Sequence, residues 1–247
     1  MESMRNAAIK AELLEYIREE YQEDRTKELH LSDTYRCLTL SFFEKTDPLP
    51  LTETELLYFS MGFAMESVIL RSKMEKPPDS YEVMGLRATP DKILKTVDGE
   101  VDLKTTRGWP DEDGIPKKGW SPRWMKQFMG YAYRIMEAGP DDKKFVDYNV
   151  AILYMTKVPP LLEVHTLRFD RHEVTFNMLE RVDNADVIRE ALEKLKETGE
   201  AASAIAVVEP FTYCDCPTEG KGDGACWECK GCRYLDRCLA WKAAQEG

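Results

Sequence analysis

Apolar residues recur at two periods along this chain. A spacing of three to four places Ile9, Leu13, Leu14, Ile17 and Tyr21 on one side of residues 1–24 and predicts an amphipathic helix there. The same spacing predicts helices over roughly 53–73 and over 170–197. It also predicts one opening at Ser121-Pro122, where serine reads as the N-cap and proline as the first-turn residue. In that helix Trp124, Phe128, Ala132 and Ile135 form the core face. Segments rich in Val, Ile, Leu and Thr predict strands over 90–97 and 100–106. Further strands are expected over 147–156 and 161–168, around Pro159-Pro160. Helices and strands mix without regular βα alternation, which predicts a mixed α/β fold with a central mixed β-sheet flanked by helices. From Pro210 onward the composition changes to cysteine, glycine and charge, dividing the chain into 1–50, 51–209 and 210–247.

Asp98-Gly99 lies between the strands 90–97 and 100–106 and is a strong hairpin signal. A two-residue turn there sets Val97 against Glu100 and, counting back, Asp91 against Thr106. Side chains alternate along each strand, so Asp91, Asp102 and Lys104 are expected on one side of the sheet. In a flat ladder Asp91 would stand four rungs from Asp102, about 13 Å at a rise of ~3.3 Å, a gap that twist, a bulge or a longer turn must close. Two acids and a lysine so arranged are the parts of a metal-dependent phosphodiesterase: the acids hold a divalent cation and the lysine stands beside the attacking water. Gln127 and Tyr131, four apart, stack on one side of their helix. Glu66, after Gly62 on the 53–73 helix, is a third acid able to join the site. Taken singly, each residue has an ordinary reading as a solvated strand face, a turn residue or a helix surface. Their order and shared face distinguish them. His30, His165 and His172 share no ligand spacing and read as structural.

Gly62-x-x-x-Glu66, Gly85 to Asp91, Asp102-x-Lys104 and Gln127-x-x-x-Tyr131 together resemble the RecB branch of the PD-(D/E)XK nuclease superfamily over roughly residues 55–135. In that branch the motifs come in this order and end in a glutamine–tyrosine helix. The chain departs from it in carrying Asp102 where Glu is usual, and Glu66 where histidine is frequent. The resemblance implies a restriction-endonuclease-like core over 51–209. It implies Mg²⁺ or Mn²⁺ held by Asp91, Asp102 and the backbone carbonyl of Leu103, with Glu66 completing the site. It further implies Lys104 orienting the water, and Gln127 and Tyr131 positioning the strand.

Seven cysteines are present, six of them between 214 and 238. The N-terminus shows no apolar signal segment and no stretch reaches membrane-spanning length, so a cytoplasmic, reduced protein is expected. Clustered thiols call for a soft metal. Spacing alone leaves two solutions: zinc on Cys214, Cys216, Cys226 and Cys229, or an iron–sulfur cluster on Cys37, Cys229, Cys232 and Cys238. The second set resembles RecB-type nucleases that carry a cluster, with one cysteine before the core and a CxxCxxxxxC triplet after it. AddB-like nucleases and the CRISPR-associated exonucleases of the spacer-acquisition module share this pattern. The resemblance implies a 4Fe–4S cluster that ties the 1–50 segment to 210–247, and leaves Cys214, Cys216 and Cys226 unassigned.

A net charge of −11 argues against a simple nucleic-acid binder, since phosphate contacts need cations. A metal site offsets its own carboxylates, however, and an enzyme needs only a local basic track. The loop 105–126 offers one: Arg107, Lys117, Lys118 and Arg123 are interleaved with Trp109 and Trp120, although Asp111, Glu112 and Asp113 interrupt it. Basic residues among aromatics suit single strands, because bases stack on rings. The expectation is a metal-dependent DNA exonuclease that prefers single-stranded DNA or frayed ends and trims DNA for CRISPR adaptation, in contact with the CRISPR integrase complex. A repair nuclease with the same site, or a non-catalytic DNA-binding scaffold, would share these residues.

Overall fold

The computed structural model describes residues 13–16, 28–69, 80–89, 92–94, 99–140, 142–157, 159–208, 232–238 and 240; at 63, 66, 68, 92–94 and 99 it describes the backbone alone. The strand-forming stretches build a four-stranded sheet in the order β3 (Lys92–Leu94), β4 (Gly99–Thr106), β5 (Phe145–Tyr154), β6 (Leu161–Asp170). β4 and β5 are parallel, and parallel neighbours need a long crossover. Helix α3 (Pro122–Ala138) supplies it. β5 and β6 are antiparallel over ten paired positions. β5 is buried on both faces from Val150 to Tyr154, which is why it reads as a continuous apolar run. β6, at the edge, keeps the alternation of a strand with one face open, with Leu162, Val164, Thr166 and Arg168 exposed.

The two faces of the sheet are covered differently. Phe128 and Ala132 of α3, with Val174 and Met178 of α4 (Arg171–Thr198), pack on Tyr148, Val150 and Ile152. On the other face α2 (Glu53–Ile69) sets Met65 and Ile69 against Val101, Leu103, Ala151 and Leu153. A third cluster joins α1 (Leu38–Thr46), the C-terminal half of α4, α5 (Ala201–Val208) and Tyr234. α4 begins at an Asp170 side chain that accepts from His172 N and ends at Gly199, in the left-handed region at φ 69°. Among the described residues, no helix is long and apolar enough to cross a membrane.

The expected mixed α/β arrangement is observed. The long helix, the crossover helix and both strands around Pro159-Pro160 fall within a few residues of expectation. The N-terminal helix is described only at 13–16, where it is helical. Four elements were not anticipated: a 3₁₀ turn over Leu31–Thr34, α1, α5, and a small hairpin of β1 (Tyr81–Val83) and β2 (Leu86–Ala88). That hairpin turns on Met84 and Gly85, both at positive φ, as a two-residue turn between twisted strands requires.

One expectation is corrected. Glu100 faces Ile93, not Val97, and Lys92 faces Val101, with Leu94 and Gly99 closing the described ladder. The register is therefore four residues away from that of a two-residue turn at Asp98-Gly99. An even slip leaves every side chain on its original face, so alternation could not distinguish the two registers. Asp91 lies just outside the described residues, next to Lys92, whose partner Val101 immediately precedes Asp102.

Candidate functional site

Alternation along β4 separates its side chains cleanly. Val101 and Leu103 enter the α2 face, so Asp102 and Lys104 point the other way, beneath α3. Asp102 is completely buried. Lys104 Nζ pairs with its Oδ2, yet neither carboxylate oxygen has a partner in hydrogen-bond geometry. Lys104 Nζ also stands 5.6 Å from the centre of the Phe128 ring on α3. On the same helix Gln127 Nε2 donates to Tyr131 Oη at 3.2 Å. Tyr131 and Phe128 both stack on Tyr148 of β5, at 6.2 and 6.0 Å. The aspartate–lysine pair and the glutamine–tyrosine pair thus share one side of the sheet.

Two residues before Asp102, on the same face, lies a cluster that the sequence reading missed. Glu100 is buried, its Oε1 accepts from Arg134 Nη1 at 2.7 Å, and its Oε2 accepts from Tyr81 Oη at 3.4 Å. The Arg134 guanidinium lies 4.1 Å from the centre of the Tyr81 ring. Burial pushes the Glu100 carboxyl up, with Arg134 opposing. Burial likewise pushes the Tyr81 hydroxyl up, with Glu100 adding to it. Glu100 was within reach of the alternation argument, since Glu100-x-Asp102-x-Lys104 places all three on one face. Arg134 follows Gln127 by seven positions, close to two helical turns.

Tyr35, at the end of the 3₁₀ turn, also reaches this region. Its Oη is buried without a hydrogen-bond partner. Burial holds the hydroxyl well above its ordinary pKa, and Tyr131, Tyr81 and Asp102 add to the effect against Arg181.

Glu66 stands on α2, whose contacts through Met65 and Ile69 lie on the face opposite Asp102; its side chain is outside the description. The Leu103 side chain belongs to that opposite face too. Among the described residues, no group of three or more His, Cys, Asp or Glu side chains is arranged to hold a metal ion. Asp91, Cys214, Cys216, Cys226 and Cys229 lie outside them.

Of the cluster cysteines, Cys37 is the N-cap of α1, and Cys37, Cys232 and Cys238 are half-buried free thiols. Cys232 and Cys238 pack against the cluster that α1 builds with Leu38, Phe42 and Phe43. Residues 232–238 are fastened there by specific contacts. Tyr234 stacks on Phe43 at 5.3 Å and its Oη accepts from Leu49 N at 2.8 Å. Arg233 bridges Glu44 and Glu55 at 2.6 and 3.0 Å, and Arg237 pairs with Asp47 at 2.6 Å. The two ends of the chain therefore meet at α1.

The basic loop leaves β4 directly after the site. Its backbone folds back on itself, with Asp111 N donating to Ile115 O and Lys117 N to Trp109 O, both at 2.8 Å. Asp111 Oδ1 is occupied by the Asp113 and Ile115 amides. Trp109 is 54% exposed and carries Lys157 Nζ at 5.5 Å from its ring centre, a cation from outside the segment singled out in the sequence. Arg107 lies 5.0 Å from the Tyr58 ring. Lys117, Lys118 and Arg123 are exposed. Trp120 is half-buried, edge-on to Phe128 and His165 at 6.4 and 5.4 Å, so Trp109 is the open ring of this loop.

No family model matches this chain. No curated protein matches it either. Among solved structures, one described as the crystal structure of SSO0001 matches over 94% of this chain and 96% of its own, at 14% identity and a TM-score of 0.49.

Proposed function

We propose that this protein is a divalent-metal-dependent DNA exonuclease carrying an iron–sulfur cluster, which trims single-stranded or frayed DNA ends before their integration by the CRISPR integrase complex. The observation that carries the reading is Asp102: a fully buried carboxylate paired with Lys104 beneath the Gln127–Tyr131 helix, with both oxygens outside hydrogen-bond geometry. A buried carboxylate normally has its oxygens satisfied, and one that does not is suited to receive a cation. Asp102, with Asp91 and the Leu103 carbonyl, would hold Mg²⁺ or Mn²⁺, with Glu66 as a further acid.

When bound, such an ion polarises the scissile phosphate and makes water nucleophilic near neutral pH. Lys104 orients that water and offsets the charge that develops on the phosphate oxygens. Gln127 and Tyr131 hold the strand, and Trp109 with Lys117, Lys118, Arg107 and Arg123 guides it away from the site by stacking and phosphate contact. Trp120 supports that loop from beneath. Water adds at phosphorus as the bond to the ester oxygen breaks, and a proton goes to the departing alkoxide.

For the cluster, the supporting observation is the docking of Cys232 and Cys238 on the helix that Cys37 caps. With Cys229 these would supply four thiolates and tie the chain ends together.

Anaerobic purification followed by iron and sulfide analysis, with cleavage assays on labelled single and double strands in Mg²⁺ and Mn²⁺, tests both parts. Iron and sulfide in equal amounts, lost together with thermal stability in Cys37→Ala, are expected. Zinc in their place, or retention of the cluster in Cys37→Ala, overturns the cluster assignment. Absence of cleavage of any labelled strand overturns the nuclease.

A further inference from the structure

We infer that Tyr35 is a further positioning residue of the metal site, its hydroxyl donating a hydrogen bond into the oxygen shell that Asp102 helps to build around a divalent ion; this rests on the nuclease reading above. Nothing in the hydrophobic pattern marks Tyr35. Three structural observations do.

The ring is rigidly placed. The Thr34 carbonyl immediately before it accepts from buried Arg181 at 2.5 Å and from Asn184 at 3.1 Å. The Arg181 guanidinium then lies 5.3 Å from the Tyr35 ring centre. A side chain that is only filling space does not need its backbone clamped by two groups from a distant helix.

The hydroxyl also needs a gap in α3. A Cβ on Gly130 would lie 1.7 Å from Tyr35 Oη and 3.0 Å from its Cζ, inside contact distance. Glycine in a helix interior costs about 1 kcal/mol relative to alanine. The chain keeps that weak position in the helix that carries Gln127 and Tyr131, at the point where the hydroxyl abuts it.

Finally, two polar groups of this region are buried and incompletely satisfied: Tyr35 Oη and the carboxylate of Asp102. A tyrosine buried for packing alone would lose nothing as phenylalanine, whereas a buried unsatisfied hydroxyl costs ~1–3 kcal/mol. The two groups lie close enough for the Asp102 charge to act on the Tyr35 hydroxyl, alongside Tyr131 and Tyr81. Burial keeps that hydroxyl protonated, so it is a donor, while the ionised carboxylate only accepts. A donor and an acceptor held beside a cation site form the usual outer support of a metal ion, which fixes the orientation of the groups that ligate it.

The test is Mn²⁺ binding by the cluster-loaded, full-length protein, followed by calorimetry and by the electron paramagnetic resonance line shape of bound Mn²⁺. Tyr35→Phe should raise the Mn²⁺ dissociation constant about tenfold and alter the line shape, while the melting temperature before Mn²⁺ addition stays level or rises. Gly130→Ala, which displaces the hydroxyl without removing it, should weaken Mn²⁺ binding in the same direction. An unchanged dissociation constant in Tyr35→Phe, whatever happens to its melting temperature, overturns the inference and leaves the nuclease reading standing. Wild-type protein that binds no Mn²⁺ overturns both.

Discussion

Asp33 and Asp102 are both completely buried, and they are built in opposite ways. Asp33 Oδ1 accepts from Arg36 at 2.6 Å; its Oδ2 pairs with Lys45 at 2.9 Å and accepts from His30 N at 3.0 Å. Burial alone would raise its pKa, but Arg36 and Lys45 outweigh burial and hold it below the usual carboxylate value. Asp102 has one lysine beside it and no partner in hydrogen-bond geometry. A carboxylate whose oxygens are saturated acts as a fastening, here between the 3₁₀ turn and α1. One left short of partners is a place for something to bind. Burial by itself does not distinguish the two roles; the count of donors does.

The sharpest way to break this contrast is by activity. Lys104→Ala and Asp102→Ala should each lower single-turnover cleavage of end-labelled single-stranded DNA by about a thousandfold or more, equivalent to ~4 kcal/mol of barrier. Circular dichroism should remain that of the wild type. Cleavage at the wild-type rate in either variant would place Asp102 in the same class as Asp33. Stability should respond in the reverse sense. Asp33→Ala leaves Lys45 and Arg36 without their buried partner and should cost about 3–5 kcal/mol in urea unfolding. Asp102→Asn should change stability by less than about 1 kcal/mol, in keeping with the usual trade of stability for function at such sites. Equal losses in the two would erase the distinction.

Smaller effects sharpen it further. Trp109→Ala should weaken single-strand binding by about 1 kcal/mol with an unchanged melting temperature, whereas Trp120→Ala should lower the melting temperature. A salt series with Lys104→Ala protein measures both without cleavage. The pH dependence of stability gives the finest test. The depressed pKa of Asp33 contributes stability that is complete above its unfolded value of 3.8 and is lost as pH falls through the lower folded value. Glu100 acts oppositely: its pKa is raised, so its contribution is present at acid pH and is lost as pH rises above 4.5 toward the folded value. Asp33→Asn should therefore flatten the loss of stability below about pH 4, measured by urea midpoints across an acid series.

Much of this was legible in the chain. The shared face of Asp102 and Lys104 follows from a period of two, and the span of α3 follows from Ser121-Pro122 and its apolar stripe. The register of β3 on β4 did not follow, because a slip of four changes no face. Trp120 looked like a stacking platform because tryptophan beside lysine carries the same letters in either role; packing against Phe128 and His165 decided the matter. Glu100 shared the legible face but was passed over because its partners, Tyr81 and Arg134, come from two other elements. Tyr35 left no local mark at all, since its setting is made by Gly130 and Arg181, far away in sequence.

The parallel pairing of β4 with β5 has a consequence for how the molecule comes into being. Everything from Arg107 to Lys144 intervenes between those strands, so the chain must close a long loop before that ladder gives any return. β5 and β6, separated by a short turn, can pair soon after both exist. During synthesis Asp102 and Lys104 therefore emerge early but wait for the crossover helix and β5 before they acquire a roof. The segment at 232–238 reaches α1 last of all. For a chain proposed to cut DNA, this order makes nuclease activity one of the last properties to appear, in refolding as on the ribosome.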